Sequence, residues 1–199
     1  KKIIISTGMA SLGELEEAVN IATNEGCKDI VLLKCTSTYP ASPLNSNLKT
    51  IPHLRELFNC QVGLSDHTLG IGVALGSVAL GATVIEKHFT LSRKEGGVDS
   101  AFSLEPDEFK LLTVEAKKTW EALGSIKYGY TKDEKNSLIF RRSIYVYEDI
   151  KIGETFNDKN LKIIRPGDGA PPNFIYSILG KKAKKNFKKG TPLNINDLF

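Results

Sequence analysis

The chain has 199 residues, 41% of them hydrophobic and 25% charged, and a formal net charge of +4 at pH 7, which indicates a soluble globular protein of one or two domains. It contains no run of about 18 apolar residues and its N-terminal segment has no cleavage site, so we expect neither a membrane span nor a signal peptide, and a cytoplasmic location. The three cysteines form no CxxC pair, which argues against a disulfide framework or a thiolate zinc site, and we expect buried or half-buried thiols.

Short apolar strands alternate with helices over residues 1–124. The run from Ile3 to Ile5 leads into a helix that begins at Ser11, where Glu14 has capping-box spacing, and that ends before Gly26. Three further strand and helix pairs follow: DIVLLKC with a helix around IPHLRELF, QVGLS with GIGVALGSVALG, and ATVIEKHF with EPDEFKLLTVEAKKTWEALG. The sequence therefore predicts four consecutive β/α units.

The strands show no alternation of polar and apolar residues, which is typical of parallel strands buried on both faces. This pattern predicts an α/β fold. Either a barrel of eight such units or an open doubly wound sheet fits it. No G-x-G-x-x-G follows the first strand, which disfavours a dinucleotide-binding sheet.

The composition changes near residue 124. Residues 125–138 are polar and indicate a linker, and residues 139–199 are rich in turns. Within them, IKIGETFNDKNL (150–161) matches FKKGTPLNINDL (187–198) at an offset of 37 residues, with RPGDGAPP as a rigid loop between the two. We therefore predict a small, pseudo-symmetric, β-rich second domain over 139–199.

The run KKAKKNFKK at 181–189 carries six lysines, a pattern that also occurs in nucleic-acid-binding proteins. It has no arginine and only one aromatic residue, Phe187. A solvated face is the favoured interpretation, and we predict no nucleic-acid partner.

Polar residues end every predicted strand of the first 124 residues. These ends are Ser6-Thr7-Gly8, Thr36-Ser37-Thr38-Tyr39, Ser65-Asp66-His67 and Glu86-Lys87-His88. In barrels the carboxyl ends of the strands form the active-site face. Because neighbouring parallel strands lie about 4.8 Å apart, His67 and His88 can share one ion, with Asp99 or Glu86 nearby. Manganese, zinc, cobalt and iron all suit such a set of imidazole and oxygen ligands.

Three serines at these ends, Ser6, Ser37 and Ser65, are small donors of the kind found around a phosphate. Backbone N–H groups near Gly8 and Gly70 and the following helix N-termini would assist them. Ordinary helix capping is the alternative interpretation, and spacing alone leaves both open.

Several long motifs resemble the sialic acid synthase family: IISTGMA, LLKCTSTYPAS, VGLSDHTLGIGVALGSVALGATVIEKHFTL, GGVDSAFSLEPDEFK and RPGDGAPP. The segment GGVDSAFSLEP is more similar to the pseudaminic acid synthase branch than to N-acetylneuraminate synthase, which stays the alternative. The C-terminal region resembles the SAF domain, a β-clip fold shared with type III antifreeze proteins. The resemblance implies that residues 1–124 form the second half of a TIM (β/α)8 barrel.

The resemblance also implies the chemistry. The family condenses phosphoenolpyruvate with an amino-hexose: C3 of phosphoenolpyruvate attacks the sugar aldehyde, polarised by a divalent ion, water adds at C2, and phosphate leaves. By resemblance, His67 and His88 are the metal ligands, with manganese the expected ion. Ser6, Ser37 and Ser65 match positions around the phosphate.

The resemblance places Tyr39 and Asp99 on the sugar side of the site. Asp99 or Glu86 is the candidate to move protons or orient water. Arg165, in IIRPGDG, matches an arginine that reaches the partner's active site in a domain-swapped homodimer.

Only four of the family's eight β/α units are present, beginning at what matches the fifth strand. We therefore expect a fragment or a truncated reading frame, with open sheet edges and without activity of its own. A carbohydrate- or ice-binding module and another barrel aldolase are the alternatives. The spaced histidines disfavour the first, and the appended β-clip region disfavours the second.

Overall fold

A computed structural model describes residues 1–197. The chain divides into a first unit, Lys1–Ile126, and a second unit that starts at Lys127. The predicted second domain and the second copy of the internal repeat end within residues 198–199, which lie outside the described residues.

The first unit is a four-stranded parallel sheet whose strands alternate with helices. Its elements are β1 Ile3–Ser6, α1 Leu12–Asn24, β2 Ile30–Cys35, α2 Thr50–Phe58, β3 Gln61–Asp66, α3 Gly72–Ala79, β4 Val84–Lys87 and α4 Pro106–Leu123, with short 3-10 helices at Pro43–Asn45, Arg93–Glu95 and Ser100–Phe102. The strand order is β1-β2-β3-β4. Because each strand lies beside the next one in the chain, without the reversal of a doubly wound sheet, the order is that of a barrel.

Local sequence signals set the helix ends. Ser11 and Glu14 form the predicted capping box, in which the Ser11 N–H donates to Glu14 Oε2 at 2.7 Å. Gly26, just after the cap residue Glu25, has φ +84°, a left-handed conformation that glycine adopts without strain. Pro52 lies in the first turn of α2, where its missing N–H would have no helical partner.

The main core of this unit lies between the sheet and helices α1 and α2. It is built from Leu15, Cys27, Ile30, Leu32, Ile51, Leu54, Val62 and Leu64. All three cysteines are free, with Cys27 and Cys35 buried and Cys60 half-buried, as predicted.

The predicted apolar face of α4 is only partly buried. Leu112 is buried, whereas Trp120 is 66% exposed and Leu123 is 47% exposed. The reason is length, because α4 has 18 residues and its packing partner α3 has 8. At about 1.5 Å per residue, the last turns of α4 extend beyond α3.

The second unit is built around a two-stranded antiparallel sheet. Its elements are the 3-10 helix Asp133–Phe140, β5 Ser143–Val146, β6 Leu161–Ile164, the 3-10 helix Pro172–Phe174, α5 Ile175–Ile178 and the 3-10 helix Ile195–Asp197. Its core contains ten buried residues, among them Phe156, Phe187 and Leu193. The first of these 3-10 helices occupies part of the segment predicted as a linker.

The internal repeat appears in this unit as a local pseudo-twofold. Ile150 and Phe187, equivalent at the offset of 37 residues, exchange both backbone hydrogen bonds, at 2.9 and 2.8 Å. Gly153 and Gly190 share positive φ values of +84° and +86°. The lysine run is a solvent-exposed face of this unit, because Ala183 and Phe187 are buried in the core while the lysines around them are exposed.

Among residues 1–197, no helix has both the length and the apolarity required to cross a bilayer.

Candidate active site at the carboxyl ends of the strands

The strand register brings the predicted site residues into rows. Cys35 pairs with Ser65 and Ser65 pairs with Glu86, so these three lie side by side across β2, β3 and β4. His67 and His88 follow two residues beyond Ser65 and Glu86. Since side chains alternate between the two faces of a strand, both histidines continue the row on the same face.

His67 is buried, at 6% exposure, and its ring is held by a backbone group. Its Nδ1 lies 3.0 Å from the carbonyl oxygen of Thr36, at the end of the neighbouring strand. A carbonyl only accepts, so Nδ1 carries the proton of this hydrogen bond, and in the neutral ring Nε2 has the lone pair. The backbone of the same residue is fixed by Ala41, whose N–H donates to the His67 carbonyl at 2.9 Å.

His88 lies beside His67, with ring centroids 5.1 Å apart. Its Nδ1 is 3.6 Å from Asp99 Oδ2, and both side chains are about one-third exposed. Asp99 has φ +68°, and its carbonyl accepts from the Ser103 hydroxyl at 2.8 Å, which fixes the loop. The structure thus brings His67 and His88, which follow β3 and β4 directly, together with Asp99 from the loop after β4.

Two aromatic rings border the histidines. Tyr39 lies 4.4 Å from His67 and 6.0 Å from His88, measured between ring centroids. Phe102 packs 5.0 Å from His88 and is buried. Tyr39 is 54% exposed, so it offers a free ring face and hydroxyl to a ligand.

Ser65 and Glu86 form a direct hydrogen bond beneath the histidines. The Ser65 hydroxyl donates to Glu86 Oε1 at 2.6 Å. Ser65 is buried, and Glu86 is exposed. Because a serine has one hydroxyl proton, Ser65 can donate to a phosphate only if this bond is exchanged.

The other two predicted phosphate residues lie on the β1 and β2 side. Ser6 is the last residue of β1 and is exposed. The Ser37 Oγ lies 3.6 Å from Cys35 Sγ, and it lies 3.4 Å from where a Cβ at Gly8 would be. Ser37 therefore adjoins the loop after β1, which brings the ends of β1 and β2 together.

Arg165 belongs to the second unit, directly after β6, and is exposed. The loop that it begins is anchored by Ser143, whose hydroxyl donates to Pro166 O at 2.8 Å and accepts from Gly169 N–H at 2.9 Å. A side chain at Gly167 would come within 2.6 Å of Leu138 O, which explains the glycine there.

A cleft of about 950 Å³ lies at the opposite ends of the strands and contains none of the predicted site residues. Cys60 lines it, and burial raises the pKa of this thiol, which disfavours the reactive thiolate. The rings of Tyr39, His67, His88 and Phe102 cluster at the carboxyl ends of the strands, where barrel proteins have their active sites. We therefore assign the functional site to the carboxyl ends and not to this cleft.

Comparison with protein families decides the relationship. A model described as the NeuB family matches residues 1–128. The chain belongs to the NeuB family. A second model, the SAF domain, matches residues 141–198.

Two curated relatives of this NeuB-family chain come from Campylobacter jejuni. N,N'-diacetyllegionaminic acid synthase is 46% identical over 95% of this chain and 58% of its own length. Pseudaminic acid synthase is 44% identical over 99% of this chain and 57% of its own length. The chain therefore spans just over half the length of the curated relatives it matches.

A solved structure extends the similarity to the fold. The spore coat polysaccharide biosynthesis protein SpsE of Bacillus subtilis is 32% identical, with a TM-score of 0.59, over 100% of this chain and 61% of that one. The predicted resemblance to the sialic acid synthases and the predicted half barrel followed by a SAF domain are confirmed.

The histidine pair of this NeuB-family chain has the chemistry of a metal site in part. A ligating imidazole commonly donates its second nitrogen to a carbonyl or carboxylate. The Thr36 carbonyl takes this place beside His67, and Asp99 Oδ2 lies 3.6 Å from His88 Nδ1, just beyond hydrogen-bond distance. Within residues 1–197, no group of three or more His, Cys, Asp or Glu is arranged to hold an ion. The pair fits a divalent ion whose other ligands are water or substrate oxygens.

Sequence reasoning assigned no role to three charged residues at or near the same strand ends. Asp66 and Lys87 form a buried ion pair, with Lys87 Nζ 2.8 Å from Asp66 Oδ2. Lys34 is buried on β2 and donates to Thr36 Oγ1 at 2.6 Å; burial lowers its pKa. The sequence did carry a signal for their direction. Each lies two residues after an apolar residue that faces the helices, as Asp66 follows Leu64, so its side chain points to the same face of the sheet.

Proposed function

We propose that this chain carries the catalytic face of a synthase that condenses phosphoenolpyruvate with an amino-hexose to give a nine-carbon nonulosonic acid and phosphate. Pseudaminic acid is the favoured product, and N-acetylneuraminate is the alternative. The observation that carries the proposal is the pairing of His67 and His88, rings 5.1 Å apart, above the Ser65–Glu86 hydrogen bond. Two relatives named pseudaminic acid synthase, 44% and 43% identical to this chain, support this class of product.

His67 and His88 would hold a divalent ion, proposed to be manganese, through their Nε2 atoms. When bound, such an ion acts as a Lewis acid on a sugar carbonyl. The protein's own part is orientation. The Thr36 carbonyl accepts from His67 Nδ1, and the Asp99 carboxylate lies 3.6 Å from His88 Nδ1. Tyr39 borders the same space and would orient the sugar.

Glu86 is the proposed base. It accepts a hydrogen bond from the Ser65 hydroxyl at 2.6 Å. A carboxylate at this place can take the proton from the water that adds at C2 of phosphoenolpyruvate. Ser65, once released, would join Ser6 and Ser37 in donating hydrogen bonds to the phosphate.

The proposed assembly is a homodimer in which Arg165 reaches the partner's site, in the cytoplasm where phosphoenolpyruvate is available. The resemblance of the IIRPGDG segment to the family supports this role for Arg165. Light scattering of the purified chain measures the assembly, and a monomer at all concentrations would contradict it.

The decisive experiment is phosphate release from phosphoenolpyruvate in the presence of Mn²⁺. The acceptors are 2,4-diacetamido-2,4,6-trideoxy-altrose, N-acetylmannosamine, the acceptor used for N,N'-diacetyllegionaminic acid, and no sugar. Each is assayed with the chain alone and with a polypeptide covering the part of C. jejuni pseudaminic acid synthase that this chain does not span. We expect release with the altrose sugar in the complemented arm and none with the chain alone. Release in the complemented arm should be lost with EDTA and lost in His88→Ala.

Release with N-acetylmannosamine or the legionaminic acceptor instead would replace the proposed sugar and keep the reaction. Release that persists in His67→Ala and His88→Ala would refute the metal role. No release with any acceptor, in either arm, would contradict the proposed function of this chain.

A further inference from the structure

Behind the two histidines lies a buried ion pair that faces away from the site. Asp66 and Lys87 are register partners on β3 and β4, and each side chain is only 1% exposed. Alternation along the strands directs them to the helix-facing side, opposite to Ser65 and Glu86. They are therefore placed to act through other residues, and not on a ligand directly.

Every contact of this pair converges on the turn that carries His67. Asp66 Oδ1 accepts from the Thr68 N–H at 2.9 Å and from the Thr68 hydroxyl at 2.8 Å. Lys87 Nζ donates to the Thr68 carbonyl at 2.6 Å as well as to Asp66 Oδ2 at 2.8 Å. The backbone is thus fixed immediately before and immediately after His67.

Stability alone gives a poor account of such a pair. Burying two charges costs desolvation energy, and apolar replacements of buried ion pairs are often neutral or stabilising. What the pair adds is a defined geometry, because both partners must meet Thr68 at once. A residue that needs a defined geometry, His67, lies between the two held positions.

The other anchor of the His67 ring is fixed in the same way. The Thr36 carbonyl accepts from Nδ1, and Thr36 is itself held by Lys34, Nζ to Oγ1, at 2.6 Å. The Thr36 hydroxyl continues to the Asn45 carbonyl at 3.0 Å. Both ends of the Nδ1 hydrogen bond are therefore set by groups on the helix-facing side.

We propose that Asp66 and Lys87 are positioning residues for His67. By fixing the 66–68 turn, they keep His67 Nδ1–H donating to the Thr36 carbonyl. Nε2 is then left unprotonated, as the ligand atom. This inference deepens the proposed function, since a ligand role for His67 rests on it.

The test uses the full chain and a double variant, Asp66→Leu with Lys87→Met, which removes both charges together with their hydrogen bonds to Thr68. The matched control is Glu115→Gln with Lys118→Met, which removes an exposed pair on α4 at 2.7 Å. Two-bond ¹H–¹⁵N spectra, recorded at about pH 8.5 so that histidines are neutral, report which ring nitrogen carries the proton. His53, on α2, is the internal reference.

We expect His67 to be protonated at Nδ1 in the wild type and the control, and to become a mixture of both tautomers in the Asp66/Lys87 variant. Binding of Mn²⁺ alone, measured by titration calorimetry, should weaken about 10- to 100-fold in that variant, the usual effect of losing groups that orient a ligand. The control should match the wild type in both measurements.

A single Nδ1–H tautomer in the folded double variant, with unchanged Mn²⁺ affinity, would overturn the proposal. If the wild type binds no Mn²⁺, the proposed metal role fails, while the tautomer spectrum still tests the positioning. If the double variant does not fold, the same spectra are recorded on Thr68→Val. This substitution keeps the shape of the side chain and removes the hydrogen bond from the Thr68 hydroxyl to Asp66. A minor Nε2–H population would then support the proposal, and an unchanged spectrum would contradict it.

Discussion

Two rows of polar side chains leave the same strand ends in opposite directions. The helix-facing row, Lys34, Asp66 and Lys87, is buried and fully engaged with neighbouring groups. The interior-facing row contains the buried Ser65 and His67 and the more exposed Glu86 and His88, and it leaves the Glu86 carboxylate and the His88 ring accessible to a ligand. Chemically similar residues therefore divide into supporting and reacting groups by the face of the sheet on which they lie.

The largest expected effect is on the helix-facing row. Lys87→Ala should lower the free energy of unfolding by about 3–5 kcal/mol, because it leaves the Asp66 carboxylate buried without a counter-charge. Urea denaturation followed by circular dichroism measures this loss. An effect below about 1 kcal/mol would show that water reaches Asp66 and that the two rows do not differ in burial as described.

A smaller effect is expected on the interior-facing row. Ser65→Ala removes the hydrogen bond to Glu86, whose exposed carboxylate can turn to water instead, so the loss of stability should be about 1 kcal/mol or less. The same change should reduce phosphate release in the complemented assay, through loss of a phosphate donor. A stability loss as large as that of Lys87→Ala would contradict the division between the rows.

The smallest effect is expected at a surface pair that braces the loop before α4. Arg93 hydrogen-bonds Glu108 and lowers the pKa of its carboxyl, as does the backbone N–H of Glu105. A lowered pKa in the folded state stabilises above the unfolded value of about 4.3 and is lost as pH falls through the folded value. Because both side chains are more than one-third exposed, the contribution should stay below about 1 kcal/mol.

The comparison is with Glu108→Gln, monitored by thermal unfolding at several pH values. The wild type should lose more stability than the variant as pH falls below about 4.3, and the two should respond alike near neutral pH. Parallel curves over the acidic range would contradict the role of this carboxyl.

The sequence allowed prediction of those features that depend on near neighbours. The Ser11–Glu14 capping box and the position of Pro52 follow from local spacing, and the order of the units follows from their succession. The extent of burial of α4 did not, because it depends on the length of α3, a tertiary partner. Periodicity identifies an apolar face but does not say how far its partner extends.

The site shows the same limit. Polar residues at the strand ends were all read as candidates for the site, and His67, His88 and Asp99 do lie together. The helix-facing direction of Asp66 and Lys87 was missed, although period-two alternation with their apolar neighbours carries that information. The Ser65–Glu86 bond needed the register of β3 and β4, which a sequence without its sheet does not supply.

Gly63 allows β3 and β4, the strands that precede the two histidines, to lie close together. A methyl group there would overlap the carbonyl oxygen of Val84 and come within 2.6 Å of Leu33, so β3 and β4 approach closely at that point. His67 and His88 each stand four residues further along these same strands. A bulkier residue at 63 would increase the distance between β3 and β4, and it would thereby move the two imidazole rings apart. Gly63 therefore helps to set the distance between the two imidazoles, and with it the size of the divalent ion that the proposed metal site would accept.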